Sequence, residues 1–174
     1  ADRRRGTVDI VADLYSSRYS DRCADMICCR HVLEHIHDPL GFLLELRETL
    51  DSWNDCVVYF EVPNAGHTFL RGAIWDILYE HCNYFTRESL QTLFLAAGFQ
   101  PLQIEERYDG EFLTIEAEPA SRAERRRENT VATFPDIANQ LVDFQSSFYG
   151  TVAFWKKRIT GWSQQHLRTV AWGA

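Results

Sequence analysis

The chain has 174 residues, 45% of them apolar and 25% charged, a composition typical of one globular domain. Its 18 Lys and Arg residues against 25 Asp and Glu residues give a net charge of −7, so no overall positive field attracts nucleic acid or anionic lipid. The apolar runs are far shorter than the roughly 20 residues that span a bilayer. We therefore expect a cytoplasmic protein with neither nucleic acid nor a membrane as its partner.

The cysteines of the chain point to thiols rather than to disulfides or a zinc site. There are five of them, an odd number, and none forms the C-x-x-C pair that a zinc site or a redox dithiol needs. We expect them to be buried free thiols.

The first half of the chain has the pattern of a strand, a helix and a second strand. Residues 25–30 and 56–62 are short, continuous apolar runs, which are typical of parallel strands covered on both faces. Between them, an Asp-Pro pair at residues 38–39 provides a helix N-cap and first residue, and leucines then recur on one face. This pattern predicts a βαβ unit with a right-handed crossover.

The next segment predicts a helix followed by a hairpin. The helix is expected to start at Thr86 and to stop at Gly98, a candidate left-handed cap. Residues 100–108 and 111–118 are strand-like, and the Asp-Gly dipeptide between them tolerates the positive φ values of a tight turn. The parallel sheet is therefore predicted to end in an antiparallel hairpin.

The last part of the chain predicts a long amphipathic helix from Phe134 to Ile159, because its apolar residues recur at spacings of three and four. This apolar stripe consists of Ile137, Leu141, Phe144, Phe148, Val152, Trp155 and Ile159. We expect it to be buried, either against this or a further domain, which is favoured, or as the seam of a homodimer. Leu167 to Trp172 is a candidate strand.

Three segments resemble class I S-adenosylmethionine-dependent methyltransferases, and among them the C-methyltransferases of nucleotide-linked deoxy-sugars. They are C-R-H-V-L-E-H-I at residues 29–36, F-E-V-P-N at 60–64 and Y-E-H-C-N-Y-F at 79–85. The resemblance implies an α/β, partial Rossmann-like class I methyltransferase fold. The predicted strands would be its strands four to seven, followed by the long helix.

The chain also departs from that family. It has neither the glycine-rich turn that holds the methionine part of the cofactor nor the acidic residue that holds the ribose. We therefore expect the middle of a longer protein, cut at both ends. Residues 1–119 would be the C-terminal half of a methyltransferase domain and 120–133 a solvated connector. Residues 134–174 would be the helix and first strand of a second Rossmann-like domain.

The expected site lies beyond the carboxyl ends of the parallel strands, where open α/β sheets bind their ligands. Arg30, His31, Asn64 and the segment around His81 should share that rim. The resemblance implies that Arg30 and His31 bind S-adenosylmethionine and that Asn64 contacts a nucleotide-linked sugar.

Methylation on carbon requires a base that removes a proton next to a ketone, so that the resulting enolate can attack the methyl group. Histidine suits this task, since its ordinary pKa lies near 6.5. The resemblance implies that His81 is this base. Glu80 could orient the site, and Tyr79 and Tyr84 could bind the keto oxygen or the nucleotide phosphates.

The histidines at residues 31–37 are a candidate metal site. His31, His35 and His37 have H-x-x-x-H-x-H spacing, but Glu34 is misplaced relative to the acid of H-E-x-x-H. A new helix begins just after His37, so we expect the three side chains to diverge and no metal to bind.

Other functions stay open at this point. A small-molecule O- or N-methyltransferase would need positioning more than a base. A non-catalytic partial domain, without the glycine loop for the cofactor, is the alternative from another class. Residues 75–78 are either a substrate lid or part of a helix packed on the sheet.

Overall fold

The described part of the chain alternates strands and helices before it ends in one long helix. The computed structural model describes residues 8, 10–51, 56–121, 137–170 and 172. The strands are β1 (Met26–Arg30), β2 (Val57–Pro63), β3 (Phe99–Arg107) and β4 (Phe112–Pro119). The helices are α1 (Pro39–Leu50), α2 (Ala65–Arg71), α3 (Arg87–Ala96) and α4 (Ile137–Gln164).

The four strands form one sheet in the order β1-β2-β4-β3. β1 and β2 are parallel, with Arg30 opposite Glu61, whereas β4 runs antiparallel to both of its neighbours. The prediction of a parallel pair that leads into an antiparallel hairpin is confirmed. The hairpin folds back so that β4, its second strand, lies between β2 and β3.

Local signals in the sequence position these elements as predicted. The Asp38 carboxylate accepts a hydrogen bond from Gly41 N at 2.9 Å and caps α1. Thr86 and Ser89 form a capping box at the start of α3, and Gly98 follows the helix with φ of 82°. The hairpin turn has positive φ at three consecutive residues, the last of them Gly110.

The core lies where α1 and α3 pack on the sheet. Its largest fully buried side chains include Phe60, Phe94 and Phe99, and the Phe94 ring stands edge-on to Phe60 at 5.2 Å between centroids. The Arg47 side chain crosses this region and donates to the carbonyl oxygens of Gly98 and Ala120 at 3.0 and 3.1 Å. Ala120, predicted to begin a solvated connector, is therefore part of the core; residues 122–133 of that connector lie outside the described residues.

Burial differs from the sequence prediction at β1 and at the cysteines. β1 alternates between exposed and half-buried residues, because in the described chain it has a partner strand on one side only, β2. The five cysteines are free, but Cys56 alone among them is buried, and Cys23, Cys28 and Cys82 are exposed. The expectation of buried thiols was wrong, since Cys28 lies on the exposed side of β1 and Cys23 and Cys82 lie in exposed segments outside the strands.

The predicted helix is confirmed as α4 from Ile137 onward, with residues 134–136 outside the described residues, but the burial of its apolar stripe is not confirmed. None of the residues of α4 is buried, and Phe148 in the middle of the stripe keeps 37% of its surface exposed. We call β1–β4 with α1–α3 the sheet domain. Phe144 of α4 contacts this domain, with its ring centroid 5.6 Å from that of Phe69 in α2. The apolar periodicity predicted the helix correctly, but burial of its apolar stripe depends on a surface that covers it.

Two further findings concern the end of the chain and its helices. Residues 167–170, part of the predicted strand, form no regular secondary structure, because no strand of the described sheet pairs with them. None of the helices in the described ranges combines the length and apolarity that crossing a bilayer requires.

Candidate active site

The candidate site is the rim of the sheet where the parallel strands β1 and β2 end. The segment at residues 77–86 is tied to this rim by backbone hydrogen bonds. Cys82 N and Asn83 N both donate to the carbonyl oxygen of Glu34, at 2.8 and 3.1 Å, and Ala65 N donates to Phe85 O at 2.9 Å. The expected neighbourhood of the strand ends and the His81 segment is therefore present in the fold.

Glu61, at the carboxyl end of β2, is the centre of the first cluster on this rim. Its side chain is 3% exposed, and Oε1 accepts hydrogen bonds from Arg30 Nε and Nη2 at 3.0 and 2.8 Å. Tyr59 OH donates to Oε2 at 3.2 Å. Burial by itself would raise the pKa of Glu61, but the hydrogen bonds from Arg30 and Tyr59 outweigh it and hold that pKa below its ordinary value.

His31 bridges this cluster to the next one. Nε2 lies 3.0 Å from Glu61 Oε1, Nδ1 lies 3.6 Å from Glu34 Oε1, and the ring stands edge-on to Phe112. The backbone of His31 is left-handed, with φ of 53°, and its N–H donates to Glu61 O at 2.9 Å. A residue other than glycine in this region is strained and is held there by its surroundings, a feature that clusters at functional sites.

The second cluster joins Glu34, His35 and His81. The two rings stand edge-on with centroids 4.9 Å apart. His35 Nδ1 lies 3.0 Å from the carbonyl oxygen of Glu80, and His81 Nδ1 lies 2.8 Å from that of Asp76. Because a carbonyl oxygen only accepts, each Nδ1 is the donor in its contact, and in the neutral ring the lone pair is then on Nε2.

Glu34 is the buried member of the second cluster. It is 1% exposed, its Oε1 lies 3.9 Å from His35 Nε2, and its Oε2 is buried without a hydrogen-bond partner in the described part of the chain. Burial, followed by the charge of Glu34 and the neighbouring Cys28, raises the pKa of the Cys29 thiol to about 12. A carboxylate with one unpaired oxygen is therefore held beside a rim open to solvent.

The residues predicted to bind the sugar differ in their placement. Asn64 is 5% exposed and caps α2: its Oδ1 accepts from Gly66 N at 3.0 Å, and its Nδ2 donates to Gly110 O at 2.9 Å. The Asn64 side chain thus joins the hairpin turn to the start of α2, and its contact with substrate stays a prediction. Tyr79 is fully exposed, and the half-exposed Tyr84 lies with its ring centroid 6.3 Å from that of His81.

The other predicted residues are placed as follows. Glu80 is exposed and contributes its backbone carbonyl to the site. His37 turns away from His31, toward Cys82, with Nε2 3.9 Å from Sγ. Residues 75–78, left open between a lid and a packed helix, contain a short 3₁₀ turn with an exposed Trp75, so the second alternative is wrong.

Glu61 is absent from the predicted site residues, and the proximity of Glu34 to His81 is absent from the predictions as well. Glu61 carried a signal, because a carboxylate within an apolar strand needs a partner when it is buried. The proximity of Glu34 to His81 had no signal in the sequence, because residues so far apart in the chain are brought together only by the tertiary fold.

Comparison with known proteins decides the class of this fold. The family model of a methyltransferase domain matches residues 3–104, more than half of the chain. The chain belongs to the methyltransferase-domain family. Curated proteins give no match.

The match covers β1, β2 and the rim between them, including all residues of both clusters. The predicted partial methyltransferase fold is confirmed by this match together with the sheet order. Members of the family normally take S-adenosylmethionine as the methyl donor. Open α/β sheets bind their ligands beyond the carboxyl ends of their strands, which is where this rim lies.

Proposed function

We propose that this methyltransferase domain transfers a methyl group from S-adenosylmethionine to a carbon of a nucleotide-linked keto-sugar, with His81 as the base. Family membership supports methyl transfer, and the choice of C-methylation follows from the resemblance of the Y-E-H segment at residues 79–81 to that subgroup. The observation that carries the proposal is the contact of His81 Nδ1 with the Asp76 carbonyl oxygen at 2.8 Å.

The geometry of His81 suits a base. Its Nδ1–H is anchored on the Asp76 carbonyl oxygen at 2.8 Å, so the basic lone pair is on Nε2. The ring is half-buried, beside the half-exposed Tyr84 and the exposed His35. A substrate at the rim can therefore reach the ring, and the contact with Asp76 O holds the ring in its orientation.

The proposed reaction consists of proton removal by His81 and transfer of a methyl group to carbon. The C–H bond next to the ketone breaks, its proton goes to His81 Nε2, and its electron pair forms the enolate. The donor, when bound, supplies an electrophilic methyl group. The enolate carbon forms the new C–C bond with that methyl, and the bond from the methyl to sulfur breaks toward sulfur. His81 then returns its proton to solvent at the open rim.

Tyr84 is proposed to stabilise the enolate. Burial, followed by the neighbouring Asp76 and Cys82, raises the pKa of Tyr84, so its phenol remains a hydrogen-bond donor at neutral pH. A donor aimed at a developing oxyanion lowers the barrier to proton removal. The exposed Tyr79 and Glu80 are proposed to contact the nucleotide portion and to orient the site.

Arg30 and His31 are proposed to hold the donor, and they fit one side of it. Arg30 keeps 52% of its side chain exposed, although two of its nitrogens are engaged with Glu61, and it can offer a donor to a carboxylate. The sequence given contains no glycine-rich turn for the rest of the cofactor. Calorimetric titration with S-adenosylmethionine tests this fit, and saturable heat that Arg30→Ala reduces is expected.

The base is tested without the methyl-transfer step. The chain is incubated in D2O with a nucleotide-linked keto-sugar and S-adenosylhomocysteine, and exchange at the carbon next to the ketone is followed by NMR. His81→Gln should slow exchange by about 10²-fold or more, because general base catalysis contributes that much. His37→Gln, a nearby histidine of the same rim, should exchange at the rate of the unaltered chain.

The outcomes separate the proposal from its alternatives. Exchange by His81→Gln at the unaltered rate would show that another group is the base. If mass fragmentation places the new methyl group on oxygen or nitrogen, the proposal of C-methylation is rejected in favour of an O- or N-methyltransferase that acts by positioning its substrate. Absence of both cofactor heat and exchange would favour a non-catalytic partial domain.

A further inference from the structure

The second cluster on the rim has a feature that methyl transfer does not use. Glu34, His35 and His81 each offer one ligand atom, and these three atoms all lie within 4.8 Å of one another. They come from the turn after β1 and from the distant segment at residues 77–86. Imidazole nitrogens with a carboxylate oxygen are the ligand set that Zn²⁺ and related dications take in proteins.

Both histidines are oriented as metal ligands are. Metal-bound histidine generally donates its other ring N–H to a backbone carbonyl or a carboxylate, which fixes the tautomer and aims the free nitrogen. His35 and His81 do this with the carbonyl oxygens of Glu80 and Asp76, at 3.0 and 2.8 Å. In the neutral rings, Nε2 is then the nitrogen left to bind a cation.

Glu34 provides an independent observation that points to a cation. Its carboxylate is 1% exposed, and Oε2 has no hydrogen-bond partner among the described residues. A buried carboxylate oxygen left unpaired is costly. The guanidinium of Arg30, on the same rim, is engaged with Glu61.

From these observations we infer that Glu34, His35 and His81 form a site for one transition-metal dication of the Zn²⁺ type. Metal–ligand distances of about 2.0–2.2 Å require ligand atoms about 3.4 Å apart in a tetrahedron. The three ligand atoms, which lie within 4.8 Å of one another, would therefore draw closer together on binding, and the exposure of His35 leaves the ion a path from solvent. Three protein ligands leave a fourth position open for water or an oxygen of a ligand.

This site differs from the histidine set that the sequence brought into view. That set was His31, His35 and His37, whose first and last members face Glu61 and Cys82. Only His35 belongs to both. If the proposed function holds, an ion on His81 Nε2 occupies the lone pair that removes the substrate proton, so metal binding and proton abstraction exclude each other.

The site is tested by titrating the full chain with Zn²⁺ in a calorimeter and with Co²⁺ in a spectrophotometer, in the presence of a phosphine reductant. One equivalent should bind, and the cobalt spectrum should lack a sulfur-to-metal charge-transfer band. His35→Ala and His81→Ala should each weaken binding by about tenfold or more, the range by which loss of ligand support lowers affinity. His37→Ala and Cys82→Ser, which alter the adjacent pair, should leave the affinity unchanged.

The inference is overturned if no saturable binding occurs, or if His37→Ala or Cys82→Ser removes binding while His81→Ala retains it. Glu34→Gln should also weaken binding, and its thermal unfolding is measured in parallel because the residue is buried; the exposed His35 keeps the test decisive if that variant does not fold. These measurements use the ion alone. If His81→Gln loses deuterium exchange and the unaltered chain binds no metal, the metal site is rejected and the role of His81 as base is kept. If the chain binds metal through His81 and His81→Gln exchanges at the unaltered rate, the metal site is kept and the base is rejected.

Discussion

Helices α1 and α3 show the same kind of apolar periodicity as α4, yet they differ from α4 in burial. α1 and α3 bury Leu43 and Phe94 fully against the sheet, whereas none of the residues of α4 is buried. Periodicity reports which residues of a helix share a face. It does not report whether a partner surface covers that face, and the free energy of folding depends on the covering. Substitutions of matched residues in the two regions test this difference.

The largest expected effect comes from emptying the core of the sheet domain. Phe94→Ala should lower the free energy of unfolding by about 3–5 kcal/mol, because it removes a fully buried ring and leaves a cavity beside Phe60 and Phe99. Urea unfolding followed by circular dichroism measures the change. A loss below about 1 kcal/mol would mean that this core is no better packed than α4.

The next effect concerns two arginines, one in each region. Arg47→Met should cost about 2–3 kcal/mol, because the buried carbonyl oxygens of Gly98 and Ala120 lose a charged donor. Arg158→Met in α4 removes an exposed guanidinium stacked on Trp162 and should cost less than about 1 kcal/mol. Equal losses in the two variants, measured by the same urea titration, would contradict the distinction.

The sequence predicted most of the local structure of the sheet domain and less of its contacts. Caps such as Asp38 and the Asp-Gly turn act through neighbouring residues, so their signals are visible in the sequence. The same holds for the βαβ unit and the hairpin. The insertion of β4 beside β2 and the exposed face of β1 depend on which strands are present to pair, which local pattern does not encode.

The candidate site shows the same division. The strand ends at Arg30 and Asn64 could be placed on one rim because parallel strands end on the same edge. The task of Asn64 as a cap and the meeting of Glu34 with His81 could not, because both depend on side-chain contacts between segments distant in sequence.

A smaller effect on the free energy of unfolding is expected from the Glu61 carboxylate, and it depends on pH. The folded protein holds the pKa of Glu61 below its ordinary value of 4.5, so this carboxylate stabilises the fold fully above about pH 4.5 and loses that contribution as the pH falls through the lower, folded value. Glu61→Gln should cost about 1 kcal/mol at pH 7, since the partner Arg30 is half exposed and solvent screens the pair.

The pH dependence separates this electrostatic cost from a packing defect. The difference in unfolding free energy between the unaltered chain and Glu61→Gln should shrink from pH 7 toward pH 3, measured by urea titration at each pH. A difference that stays constant over this range would show that the substitution acts through the packing of β2 and not through the charge.

The smallest effect is expected in α4. Phe148→Ala should change the free energy of unfolding by less than about 0.5 kcal/mol, because the ring is 37% exposed and alanine has the better helix propensity. The measurement is made at two protein concentrations a hundredfold apart. A loss above about 2 kcal/mol would mean that the apolar stripe is covered in solution; if that loss also grew with concentration, the cover would be a second copy of the chain, since only association carries such a dependence.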